Sequence, residues 1–348
     1  MPIVTLQLPV VKRKTEIRPS QCPHCQGETF QRWGKVSKPV RDNQYRSVQV
    51  YRYRCCHCRR TFRHYPEGIG HADQTERLRK LVAIGWVLGL SLRGTARMLS
   101  FFGVSLCHMS VWRDLQEQAS LVEQQRRWQG VRVLGLDGAY PLGWGKKRAV
   151  LIAVDLGNGV PVAIGQVDES NPQAVRRFLE PLVQRLGVSV VVTDDLASFR
   201  TVANKLGLEQ QVCQFHVRRW VNRTLKEMQA TIPPEWNWVL DEVRQLLAEL
   251  PLEGSRRLFE LWKQIPERRS GQGQPLSPLD QLRLLLIRLS EHWPNYRVFD
   301  WQNDVPWTNN GTEQVIGRMK IRSRTVRGYK SWHGMKAALM LTGSGLAW

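Results

Sequence analysis

The spacing of apolar positions changes twice along the chain, and each change predicts a different kind of structure. In Ser47–Cys55, apolar and polar residues alternate with a period of two, as in a half-buried strand. From Asp73 onward the spacing of apolar residues becomes helical. Beyond residue 130, short apolar runs alternate with helical segments. The pattern therefore predicts a β module, then an α module, then an α/β region.

Three helices are predicted between residues 71 and 128. Two apolar stripes at helical spacing follow each other, and their members are Leu78, Leu81, Val82 and Leu88, then Leu92, Ala96 and Leu99. Ser91 is the expected N-cap of the second helix and Ser105 that of the third. The residues expected to face inward on the third helix are Met109, Val111, Trp112 and Leu115. This order is typical of an all-α helix-turn-helix module, although a generic three-helix bundle has the same periodicity.

The region 129–348 has the outline of a ribonuclease-H-like α/β catalytic core. The predicted strands cover residues 131–137, 148–155, 160–167, 188–195 and 210–215, and the predicted helices cover 171–186 and 198–206. Three successive strands that lead into a parallel part give the order βββαβαβ. Tryptophans then punctuate helical patterns over about residues 217–305, which we interpret as a helical insertion with a flexible break at 268–278.

The net charge points to a polyanionic partner. The 348 residues carry 51 Lys and Arg against 30 Asp and Glu, a formal net charge of +21. Residues 1–130 hold 22 basic and 9 acidic side chains, whereas residues 131–312 are nearly balanced with 22 and 20. Such a distribution favours binding to a nucleic acid, because basic side chains that neutralise phosphates release counterions. The alternative is that the excess charge only solvates the protein. The longest apolar run, Leu81–Leu90, is too short to span a bilayer, so we expect a soluble, cytoplasmic protein.

Two C-x-x-C pairs predict one structural zinc site. Cys22 and Cys25 form the first pair, and Cys55 and Cys58 form the second. Two tight turns of this kind can present four thiolates to one tetrahedral Zn²⁺. The 29 residues between the pairs exceed the usual spacing, so a hairpin that is long or decorated is expected. Residues 1–70 are therefore predicted to be a zinc ribbon, which either touches DNA or has a purely structural or docking role.

Two of the predicted strands end in a carboxylate, at Asp137 and at Asp194. These strands are neighbours in the proposed topology, so both carboxylates should meet at one end of the sheet. A site with oxygen ligands alone suits Mg²⁺ or Mn²⁺. The alternative is that the two aspartates cap loops and bind no metal. Asp155 and Asp195 are rival ligands. However, Asp155 leads into a Gly-Asn-Gly turn, and Asp195 is a candidate cap for the helix that follows it.

A third acidic position lies in a late helix that Asn309 or Asn310 is expected to cap. Glu313, Gly317 and Lys320 stand at i, i+4 and i+7, so one face offers a carboxylate, a residue without a side chain and a cation. DNA contacts are expected from Lys320 and from the basic residues that follow it, with one more on the third helix of the α module. These residues are Arg322, Arg324, Arg327 and Lys330, and Arg113. An ordinary solvated basic helix is the alternative.

Together these segments resemble the DDE transposases of bacterial insertion sequences, and most closely their mutator-like branch. Leu136–Tyr140 resembles the segment of the first catalytic Asp, and Val192–Asp194 resembles that of the second. Asn309–Glu313, with Lys320 behind it, is similar to the segment of the catalytic Glu and its trailing cation. Cys213-Gln-Phe-His216 resembles the C-x-x-H motif of this branch. The resemblance covers about residues 20–340, and Asp195 remains an alternative to Asp194.

The resemblance implies a polynucleotidyl transferase in which Asp137, Asp194 and Glu313 hold two Mg²⁺ or Mn²⁺ ions and cleave and join DNA strands. Cys213 and His216 would support this site structurally rather than hold a second zinc ion. The implied partners are double-stranded DNA, as element ends and as target, and further copies of the chain assembled on DNA. Localisation at the nucleoid is expected, and no membrane partner.

Two other classes of function remain open at this point. One is a non-catalytic, domesticated DNA-binding regulator that keeps the zinc ribbon and the helix-turn-helix module. The other is a ribonuclease-H-like nuclease that cuts DNA without strand transfer. The three carboxylates favour an enzyme over the regulator, whereas the amino-acid sequence does not separate the transposase from the nuclease.

Overall fold

The structure is a computed structural model, and it describes residues 8–15, 17–126, 130–267, 275–326 and 328–345. Within these ranges, no helix combines the length and the apolar character that crossing a membrane requires. The strands are β1 (Phe30–Pro39), β2 (Ser47–Cys55), β3 (Thr61–His64), β4 (Val133–Ala139), β5 (Leu142–Gly143), β6 (Lys146–Lys147), β7 (Val150–Asp155), β8 (Val160–Gly165), β9 (Val190–Thr193) and β10 (Glu209–Val212).

The helices of the described ranges come in two groups, before β4 and after β8. They are α1 (Glu76–Val87), α2 (Leu92–Phe101), α3 (His108–Arg126), α4 (Pro172–Leu186), α5 (Ala197–Leu206), α6 (Gln214–Gln229), α7 (Asn237–Glu249), α8 (Gly254–Gln264), α9 (Pro278–His292), α10 (Asn310–Thr325) and α11 (Trp332–Gly343). Short 3₁₀ turns lie at Pro234–Trp236, Trp293–Tyr296 and Val298–Asp300.

Residue contacts group the described chain into two compact units. The first extends to Gln124 and also takes Arg324–Val326 and the C-terminal residues from His333. The second takes Gln125–Ser323 and the short segment that ends at Trp332. Helix α11 therefore belongs mainly to the first unit, where the Lys336 ammonium donates to the Glu123 carboxylate of α3 at 2.8 Å.

The first unit begins with a three-stranded antiparallel sheet in the order β1-β2-β3. The strand predicted over Ser47–Cys55 is β2, and the prediction of a long hairpin is confirmed because β1 is ten residues long. Alternate residues of β2 point inward: Val48 and Val50 are buried against Val11 and Val40. Because β2 ends at Cys55, the sheet delivers the second cysteine pair directly to the first.

Helices α1, α2 and α3 confirm the three predicted helices. The hydroxyl of Thr75 accepts the Leu78 amide at 3.2 Å at the start of α1. The predicted cap Ser91 accepts the Gly94 amide at 2.9 Å at the start of α2. The sheet and the helices also touch, because the Arg46 guanidinium donates to the Gly103 carbonyl in the turn between α2 and α3 at 2.8 Å.

Three details of the α module were predicted wrongly. Ser105 does not cap α3, which begins at His108 after Cys107, whose sulfur lies 3.4 Å from the Ser110 amide that donates to it. Met109 was expected inside and is 45% exposed. Leu88 was assigned to the inner stripe of the first helix, but it is the C-cap of α1 and is exposed. The errors at Ser105 and Leu88 come from helix boundaries that apolar spacing alone did not locate.

The second unit is built on a five-stranded sheet in the order β10-β9-β4-β7-β8. Strand β7 runs antiparallel to both β4 and β8, whereas β4, β9 and β10 are mutually parallel. This is the predicted ribonuclease-H-like order, with the first and fourth strands of the core side by side. A sheet of this kind is covered on both faces, which explains why its central strands are continuous apolar runs.

Helices α4 and α5 cover one face of this sheet and pack their apolar residues on it. The predicted N-cap Asn171 accepts the Ala174 amide at 3.1 Å, with Pro172 in the first turn of α4, and Gly187 ends the helix. On the other face, Val298 and Val305 pack against valines of β4 and β9.

The predicted helical insertion consists of α6, α7, α8 and α9, which share a core of their own. Trp220, Trp236 and Trp262 lie partly buried against that core, whereas Trp238 is exposed. Most of the break predicted between α8 and α9 lies outside the described residues. The chain returns to the sheet after α9, where the Asn295 amide donates to the Gln210 carbonyl of β10 at 3.2 Å.

Candidate active site

Asp137 and Asp194 occupy matching positions on two neighbouring parallel strands. Gly135 of β4 pairs with Val192 of β9, and each aspartate follows two residues later along its chain. The two side chains therefore lie at the same end of the sheet, as predicted. Burial raises the pKa of Asp137 to about 7, and the nearby negative charges of Asp194 and Glu169 add to this rise.

Glu313 reaches this end of the sheet because α10 begins directly against β4. Gly135 allows the approach: a Cβ atom on this residue would lie 2.0 Å from the Thr312 hydroxyl. The Asn309 side-chain amide donates to the Leu136 carbonyl at 3.0 Å, which ties the start of α10 to the strand. Asn309 precedes the helix, but its side chain is used for this tether.

His216 lies between two of the carboxylates. Its Nδ1 atom is 2.8 Å from Asp194 Oδ1, and its Nε2 atom is 3.6 Å from Glu313 Oε1. The nearby Asp194 carboxylate and the Cys213 sulfur raise the pKa of His216 to about 10. Cys213 is fully buried, and its Sγ accepts the backbone amide of Asn309 at 3.2 Å. The C-x-x-H pair thus contacts both the second aspartate and the start of α10.

The geometry separates Asp194 from Asp195. The Asp195 carboxylate is 3% exposed and is held by the guanidinium groups of Arg200 and Arg288, the latter at 2.7 Å. Asp194 Oδ1 is buried and has no well-aligned hydrogen-bond donor among the described residues, although His216 is close. Asp195 does not cap α5, whose N-cap is Leu196. Asp194 is therefore the better candidate for a metal ligand.

Asp155 has a structural explanation, as the turn after it predicted. Its Oδ1 accepts the Gly157 amide at 2.9 Å, and its carbonyl accepts the Gly159 amide at 2.8 Å. The residue is buried at the end of β7. Its carboxylate shapes the turn between β7 and β8.

Glu169 is a fourth carboxylate that sequence reasoning missed. It follows β8, and its carboxylate covers Gly138, where a Cβ atom would lie 2.2 to 2.6 Å from the carboxylate atoms. The Tyr140 hydroxyl donates to Glu169 Oε1 at 3.2 Å. Burial and the charge of Asp194 raise the pKa of Glu169. In the sequence, Glu169 stands in a polar stretch between a strand and a helix, which does not distinguish it from other surface acids. The one indication of its position is Gly138 on β4, two strands away in the sheet, which leaves room for the carboxylate.

These residues fit a hard divalent cation. Several carboxylates crowd one end of the sheet, which is unfavourable unless a cation offsets their charge. The raised pKa of Asp137 and the unsatisfied Oδ1 of Asp194 are the local signs of that crowding. Carboxylate oxygens are the ligands that Mg²⁺ and Mn²⁺ prefer. Asp137, Asp194 and Glu313 remain the predicted ligands for such ions.

A basic and aromatic cleft of about 420 Å³ adjoins the site. Asp194 and His216 form part of its wall, together with Arg219, Trp220 and Arg223 of α6. Residues of the helical insertion therefore continue the surface of the candidate active site, and they carry charge opposite to that of a nucleic acid.

The predicted DNA-contacting residues differ in exposure. Lys320, Arg324 and Lys330 are exposed in the second half of α10 and beyond it, and Arg113 is exposed on α3. Arg322 is only 5% exposed, and burial lowers the pKa of its guanidinium, so its side chain lies inside the protein. Arg327 lies outside the described residues.

The four predicted zinc ligands lie together in the first unit. Cys22 Sγ is 3.8 Å from Cys58 Sγ, and Cys25 Sγ is 3.6 Å from Cys55 Sγ. All four sulfurs lie within 4.8 Å of one another. Tetrahedral Zn²⁺ with Zn–S bonds of about 2.3 Å requires sulfurs about 3.8 Å apart, so the cluster fits one structural zinc ion. Backbone amides of Cys58 and His57 lower the pKa of Cys55 to about 6, which favours the thiolate.

Two comparisons relate the amino-acid sequence to insertion elements. The model of the Transposase IS66 family matches residues 169–337, a segment that includes Asp194, His216 and Glu313 but not Asp137. An insertion element ISM1 protein of 48.3 kDa from Methanobrevibacter smithii is 22% identical over 213 residues, 59% of this chain and 53% of that protein. The chain thus spans about half the length of this curated relative. The first match is to a transposase family, and the second is to a protein of an insertion element that is described as uncharacterized.

Solved structures with detectable similarity include integrases and transposases. The catalytic core domain of BIV integrase is 19% identical, with a TM-score of 0.21 over 47% of this chain and 97% of that chain. The Drosophila P element transposase in its strand transfer complex is 9% identical, with a TM-score of 0.31 over 78% of this chain and 79% of that chain.

Proposed function

We propose that the chain is the transposase of an insertion sequence, and that it cuts DNA at the ends of the element and joins those ends to target DNA. One observation carries the proposal: Asp137 in β4 and Asp194 directly after β9 take matching positions on adjacent parallel strands of a ribonuclease-H-like sheet, and α10 brings Glu313 to the same end. The family match over residues 169–337 supports it independently.

Asp137, Asp194 and Glu313 would hold two Mg²⁺ or Mn²⁺ ions. When bound, these ions supply Lewis acidity that activates a water or a 3′-hydroxyl and stabilises the departing 3′-oxygen. The chain itself positions the three carboxylates. His216 stands between Asp194 and Glu313, and Cys213 and Asn309 fix the start of α10.

The surface around the site suits a DNA strand. Lys320 and Arg324 are exposed on α10, and Arg219 and Arg223 line the cleft beside Asp194. Cationic side chains of this kind bind phosphates without reading sequence. We assign them to holding the DNA backbone against the carboxylates.

The first unit is proposed to recognise the element ends. It combines a zinc ribbon, with Zn²⁺ held by the four clustered cysteines, and a helix-turn-helix module on α1–α3. Arg113 is exposed on α3, where a recognition helix would present its side chains. The contact between Arg46 and Gly103 joins ribbon and helices, so both can meet one stretch of DNA together.

Membership of the mutator-like branch is a finer proposal. It rests on Cys213 and His216, which stand as C-x-x-H at the start of the helical insertion. We also propose that several copies of the chain assemble on DNA and that the protein associates with the nucleoid.

The decisive experiment uses purified full-length protein, Mg²⁺, supercoiled plasmid and linear DNA that carries the sequences flanking the coding region. A transposase gives joined products of the linear ends and the plasmid. Nicking without joining would instead identify a nuclease, and specific binding without nicking would identify a DNA-binding regulator. Either of these results contradicts the proposal.

A further inference from the structure

A second set of metal-binding atoms overlaps the carboxylates but differs from them in chemistry. Ligand atoms of Cys213, His216 and Glu313 lie within 4.8 Å of one another. They offer one sulfur, one nitrogen and one oxygen. Mg²⁺ prefers oxygen ligands, whereas Zn²⁺ accepts thiolate, imidazole and carboxylate ligands.

A carboxylate, that of Asp194, lies beside the ring of His216. Its Oδ1 lies 2.8 Å from Nδ1 of His216, and the Nε2 atom on the other side of the ring lies 3.6 Å from Glu313 Oε1. In zinc proteins a carboxylate commonly holds one imidazole nitrogen while the other nitrogen binds the metal. Asp194 occupies that supporting position behind His216.

The remaining two ligands are held by the fold. Cys213 is fully buried at the end of β10, and the backbone amide of Asn309 donates to its sulfur. Glu313 stands on the first turn of α10, whose start is tied to β4 by the Asn309 side chain. The three ligand residues therefore meet through rigid elements rather than through mobile loops, which favours a preformed site.

We infer that Cys213, His216 and Glu313 form a binding site for a thiophilic divalent cation, represented by Zn²⁺, in addition to the four-cysteine site. Binding releases the thiol proton of Cys213 and the proton on Nε2 of His216, and the two atoms and the Glu313 carboxylate then ligate the cation. Three protein ligands leave a fourth coordination position open, as in zinc sites that are not purely structural.

Because Glu313 belongs to both ligand sets, Zn²⁺ at this site competes with Mg²⁺ for the candidate catalytic centre. Zn²⁺ forms stronger complexes than Mg²⁺ with nitrogen and sulfur ligands. Micromolar Zn²⁺ should therefore inhibit DNA cleavage. This inhibitory consequence rests on the proposed function, whereas the binding of the cation does not.

The binding test counts zinc in the full-length protein equilibrated at a fixed micromolar concentration of free Zn²⁺. Wild-type protein is expected to hold two zinc ions per chain, one of them at the four cysteines. Cys213→Ser should hold one. Cys107→Ser is the matched control, because Cys107 is an exposed cysteine outside both clusters, and it should hold two.

Glu313→Gln provides a second variant in case Cys213→Ser does not fold, because the Glu313 side chain is 38% exposed. It should also hold one zinc ion while keeping the thermal unfolding transition of the wild type. Co²⁺ in place of Zn²⁺ adds a spectroscopic measure, since the thiolate absorption of the second equivalent should disappear in Cys213→Ser. One zinc ion in the wild type, or two in both variants, overturns the inference.

The inhibition test compares nicking rates in Mg²⁺ with and without the same free Zn²⁺. Zn²⁺ should reduce the nicking rate about tenfold in the wild type and clearly less in Cys213→Ser. The reason is that the sulfur ligand makes the site bind Zn²⁺ more strongly than Mg²⁺. Equal inhibition of both proteins contradicts the competition. If no condition gives nicking, the proposed function fails, while the zinc counts still decide whether the second site exists.

Discussion

The cysteine cluster of the first unit and the carboxylate cluster of the second unit are built on opposite principles. The cysteines come from two turns of one small sheet, and Cys22 and Cys55 are each 1% exposed. Their sulfurs match the spacing that one metal ion needs. The carboxylates come from distant segments, and the side chains of Asp194 and Glu313 are 30% and 38% exposed. The first cluster is a closed ligand set and the second is an open one.

This difference shows how a fold can use the same physical effect in two ways. Like charges at close range are unfavourable in both clusters until a cation offsets them. In the cysteine cluster the cation would become part of the fold. In the carboxylate cluster, burial and the negative charges of Asp194 and Glu169 raise the pKa of Asp137 to about 7, which disfavours its charged form. A site that exchanges ligands and substrates has to remain open in this way.

Removing one charge from the open cluster should have the largest effect. Asp137→Asn, Asp194→Asn and Glu313→Gln each keep the side-chain volume but lose the charge that holds a divalent ion. We expect nicking and joining to fall on the order of a thousandfold or more in each variant, with binding to element ends retained. Reaction rates on plasmid DNA and gel-shift binding measure the two properties.

Neighbouring aspartates provide the controls for these variants. Asp155→Asn should stay active, because the Asp155 carboxylate accepts the Gly157 amide in the turn after β7. Asp195→Asn should reduce stability rather than metal dependence, because Arg200 and Arg288 lose their ion-pair partner. An active Asp194→Asn together with an inactive Asp195→Asn would reverse the assignment of the two residues.

Opening the closed cluster should instead affect folding. In Cys22→Ser combined with Cys25→Ser, the zinc content should fall by one ion per chain, since two of four ligands are lost. Structural zinc contributes about 10–16 kcal/mol of apparent binding energy in small zinc modules, so strands β1–β3 should lose hydrogen-exchange protection. Protection of β4 and β7 should persist. Unchanged zinc content would show that these cysteines are not ligands.

Substitutions that remove or displace the Glu169 carboxylate should have a smaller effect. They test whether a fourth carboxylate belongs to the open cluster. Glu169→Gln removes the fourth carboxylate, and Gly138→Ala displaces it, because the added methyl group overlaps the carboxylate. Each change should raise the Mg²⁺ concentration needed for half-maximal activity about 10- to 100-fold, as loss of a supporting residue does at other metal sites.

Asp168, next to Glu169 in the chain, provides the control for this prediction. Asp168→Asn should leave the Mg²⁺ dependence unchanged, because the Asp168 carboxylate is occupied by the amide and the hydroxyl of Ser170, at 3.0 and 2.7 Å. If Glu169→Gln and Asp168→Asn behave alike, Glu169 plays no part in metal binding.

The smallest effect concerns a buried carboxylate without a proposed metal. Burial raises the pKa of Asp114 on α3 to about 6, although Arg79 opposes the rise. Between about pH 4 and 6 the folded state binds more protons than the unfolded state, so the stability of the α module should decrease as the pH rises through this window. The loss amounts to at most about 3 kcal/mol.

Asp114→Asn should abolish this pH dependence. Hydrogen exchange of α1–α3 amides at pH 4 to 7 measures the local free energy of opening. The exposed Asp73, replaced by Asn, is the control from the same unit. A stability difference between wild type and Asp114→Asn that is constant over this pH range contradicts the prediction.

Periodicity and spacing predicted most of the fold, for reasons that specific residues illustrate. The alternation in Ser47–Cys55 and the apolar runs that become β4, β7 and β9 are local signals, and local signals determine secondary structure. The two C-x-x-C pairs were equally local. Asp137 and Asp194 could be placed together because the order of the strands makes β4 and β9 neighbours.

What the sequence did not reveal depends on contacts between distant segments. Nothing near Glu169 indicates that it covers Gly138, because their proximity results from how the strand ends fold over the sheet. The commitment of Asp195 to Arg288, 93 residues away, was equally invisible. The start of α3 was misplaced because Cys107 is an uncommon cap.

The hydrogen bond between Asn309 and Leu136 joins residues that are 173 positions apart. At ribosomal rates of about 5–20 residues per second, at least roughly nine seconds separate the synthesis of its two partners. During the later part of that time, once Asp194 has been synthesised, Asp137 and Asp194 exist in the nascent chain without Glu313. Under the proposed function, prematurely terminated chains that lack α10 are therefore unable to cut DNA. Each new molecule stays inactive until α10, which carries Glu313, has been synthesised.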